Sequence, residues 1–152
     1  MEINSLQSIL NGEINQLPWG SSKFEMENKF PKTININKET IDQGVPFLVV
    51  DNTEFYYGNE DFSKLSSVII QAWKIEKNQT TILFDHTWIN GELKFKDVVK
   101  NLEKDNLKFL IYKNAIIVNS GARFLFYNTE ETIEEEELCK VILDKQRLLT
   151  HV

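Results

Sequence analysis

One five-residue segment carries the side chains most able to do acid–base chemistry. Residues 84–88 read FDHTW, which places Asp85 beside His86 at the end of an apolar run. A histidine here could act as a general base, and Trp88 could line a pocket for a substrate. Adjacent side chains of a strand point to opposite faces, so Asp85 and His86 do not form a natural catalytic pair. The sequence therefore predicts a protein that is not an enzyme. The alternative is a small enzyme or ligand-binding protein with its pocket near Asp85, His86 and Trp88.

Metal-binding and nucleophilic patterns are absent from the sequence. The chain contains two histidines and one cysteine, Cys139, and it has no C-x-x-C, H-E-x-x-H or EF-hand pattern. We therefore expect no metal site, no cofactor and no catalytic residue. Cys139 lies in an apolar segment, which predicts an inert thiol in the core. A single cysteine cannot form an intramolecular disulfide, and this is typical of a cytoplasmic protein.

The serine pair in LPWGSSKFEMENK, residues 17–29, is predicted to begin a helix. Ser22 precedes Glu25 by three residues, which is the spacing of a capping box. Pro31 ends the predicted helix, which spans about residues 23–30. A phosphate-binding loop would need further glycines and a lysine followed by Ser or Thr, and a nucleophile elbow needs a glycine on each side of the serine. The segment is therefore a helix cap rather than a catalytic loop.

The periodicity of apolar residues predicts an α+β fold, an antiparallel β-sheet with helices packed on one face. An N-terminal helix is indicated by apolar residues at 3, 6, 9 and 10, and another by residues 95, 98, 99 and 102, ending near 105–106. The predicted strands are residues 33–36, 46–51, 54–58, 65–73, 80–85, 107–112, 115–120, 123–128 and 137–143. The last of them, within ELCKVILDK, fits a strand or a helix.

The order of elements recurs in two halves of one predicted domain, residues 1–152. Residues 20–75 and 93–145 each read as a helix followed by three or four strands, although their residue identities do not match. If segment 137–143 is the counterpart of segment 65–73, it is a strand, and this is our prediction. A chain of 152 residues is long enough to bury a core of its own.

The charge pattern excludes some partners and favours others. The chain has a net charge of −6 and scattered lysines, so we expect no binding to nucleic acid. No apolar run approaches the roughly 20 residues of a membrane-spanning helix, and residues 1–10 lack the features of a signal peptide. We therefore expect a cytoplasmic protein with no membrane partner. The acidic run TEETIEEEE, residues 129–137, is either a solvated loop or a surface that meets a basic partner.

One predicted sheet face combines Trp, Tyr, Arg and Gln side chains, as the centre of a protein–protein interface does. Alternation along one strand places together Leu65, Ser67, Ile69, Gln71 and Trp73. The residues that we predict to bind a partner are Tyr56, Trp73, Asp85, Trp88, Arg123, Tyr127, Glu134, Glu135 and Glu136. The alternative is that the aromatic residues among them cap a small core.

A small acidic chain in which LPWGSSKFEMENKF leads into antiparallel strands resembles bacterial immunity proteins of polymorphic and contact-dependent growth inhibition systems. The repeated order of helix and strands is also similar to the β-lactamase inhibitor protein fold, although those inhibitors are exported and this chain shows no signal peptide. The resemblance implies an immunity protein, or antitoxin, that neutralises a cognate toxin domain by stoichiometric protein binding. Such a toxin is in many cases a basic nuclease. A structural subunit of a larger complex is a third reading, and the oligomeric state stays open.

Overall fold

A computed structural model describes residues 3–4, 22, 25, 38–42, 45–50, 53–57, 65–76, 84–85, 89–118 and 121–144. The strands in chain order are β1 (Ile3–Asn4), β2 (Lys38–Asp42), β3 (Val45–Val50), β4 (Thr53–Tyr57), β5 (Leu65–Ile70), β6 (Phe84–Asp85), β7 (Phe109–Tyr112), β8 (Ala115–Val118), β9 (Arg123–Phe126) and β10 (Leu138–Asp144). The described elements also include the helix α1 (Phe95–Lys104) and two 3-10 helices, Ala72–Lys74 and Ile133–Glu135.

Eight of the strands form one antiparallel sheet in the order β2-β3-β4-β5-β10-β9-β8-β7. Strands β2 to β5 make one meander and β7 to β10 make a second. The two meanders join at the middle of the sheet, where Ile70 of β5 lies opposite Val141 of β10. Strands β1 and β6 pair in parallel, outside this sheet. The antiparallel sheet and its helix confirm the predicted α+β class.

The face of the sheet that meets α1, which we call the core face, holds every second residue of the strands. In β4 this face carries Phe55 and Tyr57, and in β9 it carries Phe124 and Phe126, all of them buried. Aromatic residues at every second position suit a half-buried strand, because strand side chains alternate between the two faces. Burial of each such side chain contributes roughly 1.5–3 kcal/mol to stability.

Helix α1 packs on the core face with one apolar side. Phe95, Val98 and Leu102 are buried, and their spacings of three and four residues place them on the same side of the helix. The Phe95 ring meets the Phe126 ring edge-on, with 5.0 Å between the ring centroids. The prediction of an amphipathic helix in this segment is confirmed.

The two ends of α1 are closed by local hydrogen bonds. The Lys94 amide donates to Asp97 Oδ2 over 3.2 Å, which satisfies a backbone donor at the start of the helix. At the other end Asn106 has a φ of 57°, in the left-handed region, and the Leu107 amide donates to the Leu102 carbonyl over 3.0 Å. The helix therefore ends at residues 105–106, as the sequence predicted.

The ambiguous segment near the C-terminus is a strand. Strand β10 spans Leu138–Asp144 and hydrogen-bonds β5 on one side and β9 on the other, so it lies in the middle of the sheet. The prediction of a strand at residues 137–143 is confirmed, and the helical alternative is wrong. The predicted meander of residues 107–128 is also confirmed in β7, β8 and β9.

Strand β5 departs from the sequence prediction in two ways. It ends three residues early, and the chain continues into the 3-10 helix Ala72–Lys74. Tyr56 pairs with Ser67 whereas Tyr57 pairs with Leu65, so one extra residue of β5 bulges between the two pairs. The bulge turns Leu65 to the core face, where its side chain is buried. The predicted grouping of Leu65 with Ser67 on one face is therefore wrong.

Of the first 37 residues, the structure describes Ile3, Asn4, Ser22 and Glu25. Residues 3–4 form β1, so a helix beginning at residue 3 is wrong there, because these residues pair with a strand. Glu25 is helical and its amide donates to Ser22 Oγ over 3.1 Å, which confirms the predicted cap contact. Several predicted elements lie outside the described residues: the rest of the N-terminal helix, the rest of the helix at 23–30, the strand at 33–36 and residues 80–83.

Strand β7 is the last strand on one side of the sheet. Three successive side chains of β7 are exposed, with exposed fractions of 69% for Leu110, 55% for Ile111 and 64% for Tyr112. Lys113 follows with a φ of 54°, and its Nζ lies 5.4 Å from the centroid of the Tyr112 ring. Lys108, just before β7, is also exposed. An apolar edge strand is thus bounded by a lysine at each end.

Candidate functional site

The face of the sheet opposite α1, which we call the outer face, carries a mixture of polar, charged and apolar side chains. The strand register aligns the following residues in one row across five strands: Ile117, Arg123, Ile142, Ile69 and Glu54. All five are partly exposed. The row contrasts with the core face, where the neighbouring residues of the same strands are buried and, except for Thr53, apolar.

A chain of hydrogen bonds fixes the aromatic side chains at one end of the outer face. Tyr56 Oη donates to Glu54 Oε2 over 2.6 Å, and Gln71 Nε2 donates to the other oxygen of Glu54. Trp73 Nε1 donates to Gln71 Oε1 over 3.0 Å. The Tyr56 ring also stacks on Phe47 with 4.9 Å between centroids. These contacts hold Tyr56 and Trp73 in fixed positions, which lowers the entropy that a partner would lose on binding them.

Arg123 brings a positive charge to the middle of the same face. Its Nη2 lies 4.0 Å from Asp144 Oδ2, which joins β9 to β10 by an ion pair across the sheet. The Arg123 side chain is 23% exposed. Phe124 and Phe126 of the same strand lie on the core face, so Arg123 lies on the outer face.

A cavity of about 590 Å³ opens next to Trp73, and we call it the acidic pocket. It is lined by Trp73, Ile75, Glu76, Gly91, Glu92, Tyr127 and Glu137. Its volume lies in the range typical of sites that hold a small molecule or a large side chain. Three glutamates and two aromatic residues are among its lining, and none of the described residues that line it is basic.

Gly91 allows the pocket to form, because a turn packs directly against the 3-10 helix that carries Trp73. The Gly91 amide donates to the Ile75 carbonyl over 3.0 Å. A Cβ at this position would lie 3.0 Å from the Ala72 carbonyl oxygen and 3.0 Å from Trp73 Cα. Both are backbone atoms, so a side chain at residue 91 would force the turn and the 3-10 helix apart.

We expect Gly91→Ala to lower the free energy of unfolding by about 1–3 kcal/mol, because its methyl group overpacks this backbone contact. The change is measured by urea unfolding, and displacement of Trp73 is followed by its indole NMR signal. Glu92→Ala, one residue further on and exposed, is the matched control and should leave stability within about 0.5 kcal/mol of wild type. Equal stabilities for Gly91→Ala and Glu92→Ala would contradict the contact.

Tyr127 and Glu137 form the opposite wall of the pocket. The Tyr127 amide donates to the Glu137 carbonyl over 3.1 Å, which keeps the two residues side by side. Burial raises the pKa of Tyr127, and so do its hydrogen bond with Cys139 and the nearby charges of Cys139 and Glu137. The phenol is therefore neutral at physiological pH, and the charge of the pocket comes from its carboxylates.

Cys139 is partly exposed, and the prediction that it lies in the core is wrong. Leu138 pairs with Phe126 whereas Lys140 pairs with Leu125, so the register of β10 shifts at Cys139. The shift removes Cys139 from the alternation that buries its neighbours. The thiol instead lies near Tyr127, beside the acidic pocket, where it helps to raise the pKa of the phenol.

The acidic run 129–137 is attached to the start of α1. Glu135 accepts hydrogen bonds from Lys94 Nζ over 2.7 Å and from Lys96 Nζ over 2.6 Å. These two bonds, first that of Lys94 and then that of Lys96, lower the pKa of Glu135 to about 2. Glu134 carries no such contact among the described residues and is exposed.

The lowered pKa of Glu135 predicts a stability difference that depends on pH. A carboxyl whose pKa is lower in the folded state stabilises the fold above its unfolded pKa of about 4.5, and this contribution is lost as the pH falls towards 2. We expect Glu135→Gln to be less stable than wild type at pH 6–7, by a small amount because the side chain is 41% exposed. The two proteins should converge near pH 2 in urea unfolding, and Glu134→Gln is the control.

Glu136 lies inside the same loop and is 1% exposed. Its Oε1 accepts hydrogen bonds from the backbone amides of Thr129, over 2.6 Å, and Glu130. Its Oε2 is buried without a hydrogen-bond partner in the described part of the chain. Glu136 is therefore a buried residue that stabilises the acidic loop, whereas the sequence predicted that it would bind a partner.

The structure brings together some of the residues that the sequence predicted to bind a partner. Trp73 and Tyr127 line the acidic pocket, and Tyr56 joins Trp73 through the hydrogen bonds of Glu54 and Gln71. Arg123 lies further along the outer face. The backbone of Asp85 belongs to β6 and pairs with Asn4. His86 and Trp88, the other residues of the alternative pocket, lie outside the described residues.

The sequence analysis missed the residues that complete the pocket. Asn90 and Gly91 are typical of a turn, but nothing in the sequence marks Gly91 as part of a site, and Glu76 and Glu92 were not singled out. Three separate segments, residues 73–76, 91–92 and 127–137, supply the lining. The Asn-Gly pair was a usable signal for the turn, but no spacing in the sequence places that turn against the end of β5.

Within the described residues, no three His, Cys, Asp or Glu side chains are grouped so that they could hold a metal ion. No helix in the same ranges has the length and the apolar character needed to cross a membrane. Comparisons of the chain with protein-family models, with curated proteins and with solved structures find no match.

Proposed function

We propose that this chain is an immunity protein, which binds a cognate toxin domain and neutralises it by forming a stoichiometric complex. One observation carries the proposal: fixed aromatic side chains stand next to a carboxylate-lined pocket on a protein of net charge −6. Trp, Tyr and Arg are the residue types that dominate binding energy in protein interfaces. Acidic residues around them favour a basic partner, both in speed of association and in choice of partner.

The exposure of the aromatic residues supports a protein partner. Trp73 is 53% exposed and Tyr127 is 39% exposed. Both residues line the same pocket, and exposed apolar side chains that lie together mark interaction sites. Tyr56 and Trp73 are held by hydrogen bonds to their neighbours rather than by burial, so their rings are already in place when a partner arrives.

We also propose that the chain consists of two repeated halves, residues 20–75 and 93–145. The strand order supports this, since the final strands of the two meanders, β5 and β10, pair at the centre while the earlier strands follow outwards in matching sequence. In this arrangement the end of β5 and the start of β10 lie together, and the acidic pocket opens beside that junction. The partner would then bind where the halves meet.

We propose the cytoplasm as the compartment in which the complex forms, with no role for nucleic acid or a membrane in binding. The single cysteine and the acidic charge support this proposal. An immunity protein in that compartment meets the toxin after its delivery or during its synthesis.

The proposal is tested by capture and then by neutralisation. The tagged protein is incubated with an extract of its own organism, washed at moderate salt, and the retained proteins are identified by mass spectrometry. The captured toxin domain is then expressed alone and together with this chain. We expect a one-to-one complex, an affinity that falls as salt rises, and growth only when both are expressed. Growth arrest despite co-expression, or no stoichiometric partner, would overturn the proposal.

A further inference from the structure

We propose that the acidic pocket receives one arginine side chain of the partner protein, between Trp73 and Tyr127. This inference rests on the proposed function in one respect only, namely that the arginine belongs to a toxin domain. The pocket is about 590 Å³ in volume and is open to solvent along the exposed sides of its two aromatic residues. A long side chain entering from outside can therefore reach the carboxylates of its lining.

The chemistry of the lining selects a cation. Glu76, Glu92 and Glu137 bring negative charge to the cavity, and the other described residues of its lining are aromatic, aliphatic or glycine. The carboxylates are not grouped closely enough to hold a metal ion within the described residues. They suit an extended organic cation, which can contact separate carboxylates with different nitrogen atoms.

Aromatic rings next to these carboxylates favour arginine. A guanidinium is planar, so it can stack on an aromatic face while its N–H groups donate to carboxylates at the edge. Lys74 Nζ lies 5.1 Å from the Trp73 ring centroid, so a stacked guanidinium would take the face of the ring that Lys74 leaves open. Tyr127 remains neutral at physiological pH, since its pKa is raised by burial and by its contact with Cys139.

The walls of the pocket are held in place before any ligand binds. Trp73 donates its indole N–H to Gln71, which in turn donates to Glu54. Gly91 packs on the backbone of Trp73, and Tyr127 is tied to Glu137 through the backbone. Because the Trp73 indole and the backbone of the pocket are held in this way, the site loses less entropy when it closes on a single side chain.

The test uses a short probe peptide, acetyl-Gly-Arg-Gly-amide, added to the intact protein. We expect it to shift the NMR signals of the Trp73 indole N–H and the Gly91 amide, with millimolar affinity. Glu92→Gln and Glu137→Gln should each weaken binding about fivefold, the effect of losing one partly exposed ion pair. Acetyl-Gly-Gln-Gly-amide should not bind. Glu134→Gln, which removes the same charge outside the pocket, should leave the affinity unchanged.

The outcomes separate this inference from the proposed function. The arginine peptide could instead shift signals all over the acidic surface, with the same loss of affinity in Glu134→Gln and Glu92→Gln. That result would overturn the proposed arginine site, because it reports general charge attraction. If a captured toxin binds the Glu92→Gln/Glu137→Gln double variant as tightly as wild type, the pocket is not its anchor although the immunity function stands. If the peptide binds in the pocket and no toxin is neutralised, the proposed function fails and the arginine site remains.

Discussion

Replacing Phe124 with alanine is expected to lower the free energy of unfolding by about 3–5 kcal/mol, the largest effect of any single change described here. Phe124 is fully buried, and its backbone lies between Ile116 of β8 and Val141 of β10. Both neighbours are buried strand residues, so the sheet cannot easily collapse into the space that the ring leaves. A loss of this size is a large part of the 5–15 kcal/mol by which most domains are stable.

Urea unfolding followed by circular dichroism measures this loss. Leu125→Ala is the matched control, because Leu125 is the next residue of the same strand, faces the outer side and is only partly buried. We expect Leu125→Ala to cost clearly less, with the same dependence on urea concentration. Equal losses for the two variants would contradict the difference in burial between the core face and the outer face, and a larger loss for Leu125→Ala would reverse the assignment of the faces.

The second large effect is expected at Glu136. Replacing it with alanine removes the acceptor of the Thr129 and Glu130 amides, and we expect a loss of about 1.5–3 kcal/mol. Hydrogen exchange at these two amides should become faster, because the loop loses the group that orders it from within. Glu136→Gln keeps a carbonyl oxygen in the same place, so it should retain most of the stability and the slow exchange.

The comparison between the two Glu136 variants separates hydrogen bonding from charge. If the glutamine variant is as unstable as the alanine variant, the negative charge rather than the acceptor geometry stabilises the loop. Unchanged exchange at Thr129 and Glu130 in the alanine variant would contradict the described contact altogether. Glu131→Ala is the surface control for the same acidic run, since its side chain is exposed.

Regular patterns in the sequence were sufficient to predict much of the sheet. Strands β4, β8 and β9 were predicted from apolar runs, and in the structure their residues alternate between buried and partly exposed. The three- and four-residue spacing of Phe95, Val98 and Leu102 identified α1. The strand at residues 137–143 was predicted from the order of elements rather than from its own composition. Local patterns are reliable here because each strand must present one apolar side to the same core.

Side chains were predicted on the wrong face where a strand departs from its two-residue alternation. The bulges before Val68 in β5 and at Cys139 in β10 each shift one side chain to the other face, and nothing in the composition of either segment marks them. The position of Glu136 illustrates a second limit. A glutamate within an acidic run is normally solvated, and its burial depends on how the loop folds back over it.

The candidate site was only partly predictable for a similar reason. Exposed aromatic residues such as Trp73 and Tyr127 could be selected by residue type and strand position. The glutamates of the pocket come from segments up to 61 residues apart, between Glu76 and Glu137. Their convergence depends on the pairing of β5 with β10 and on the close approach that Gly91 permits, which are properties of the folded chain.

The lysines at the two ends of β7 affect whether copies of this protein associate through that strand at high concentration. Exposed Leu110, Ile111 and Tyr112 along an edge strand are a template on which a second copy could extend the sheet. Antiparallel pairing of two such edges would set Lys108 of one copy beside Lys113 of the other, so like charges would meet at both ends. We therefore expect the two lysines to oppose association of copies through this edge.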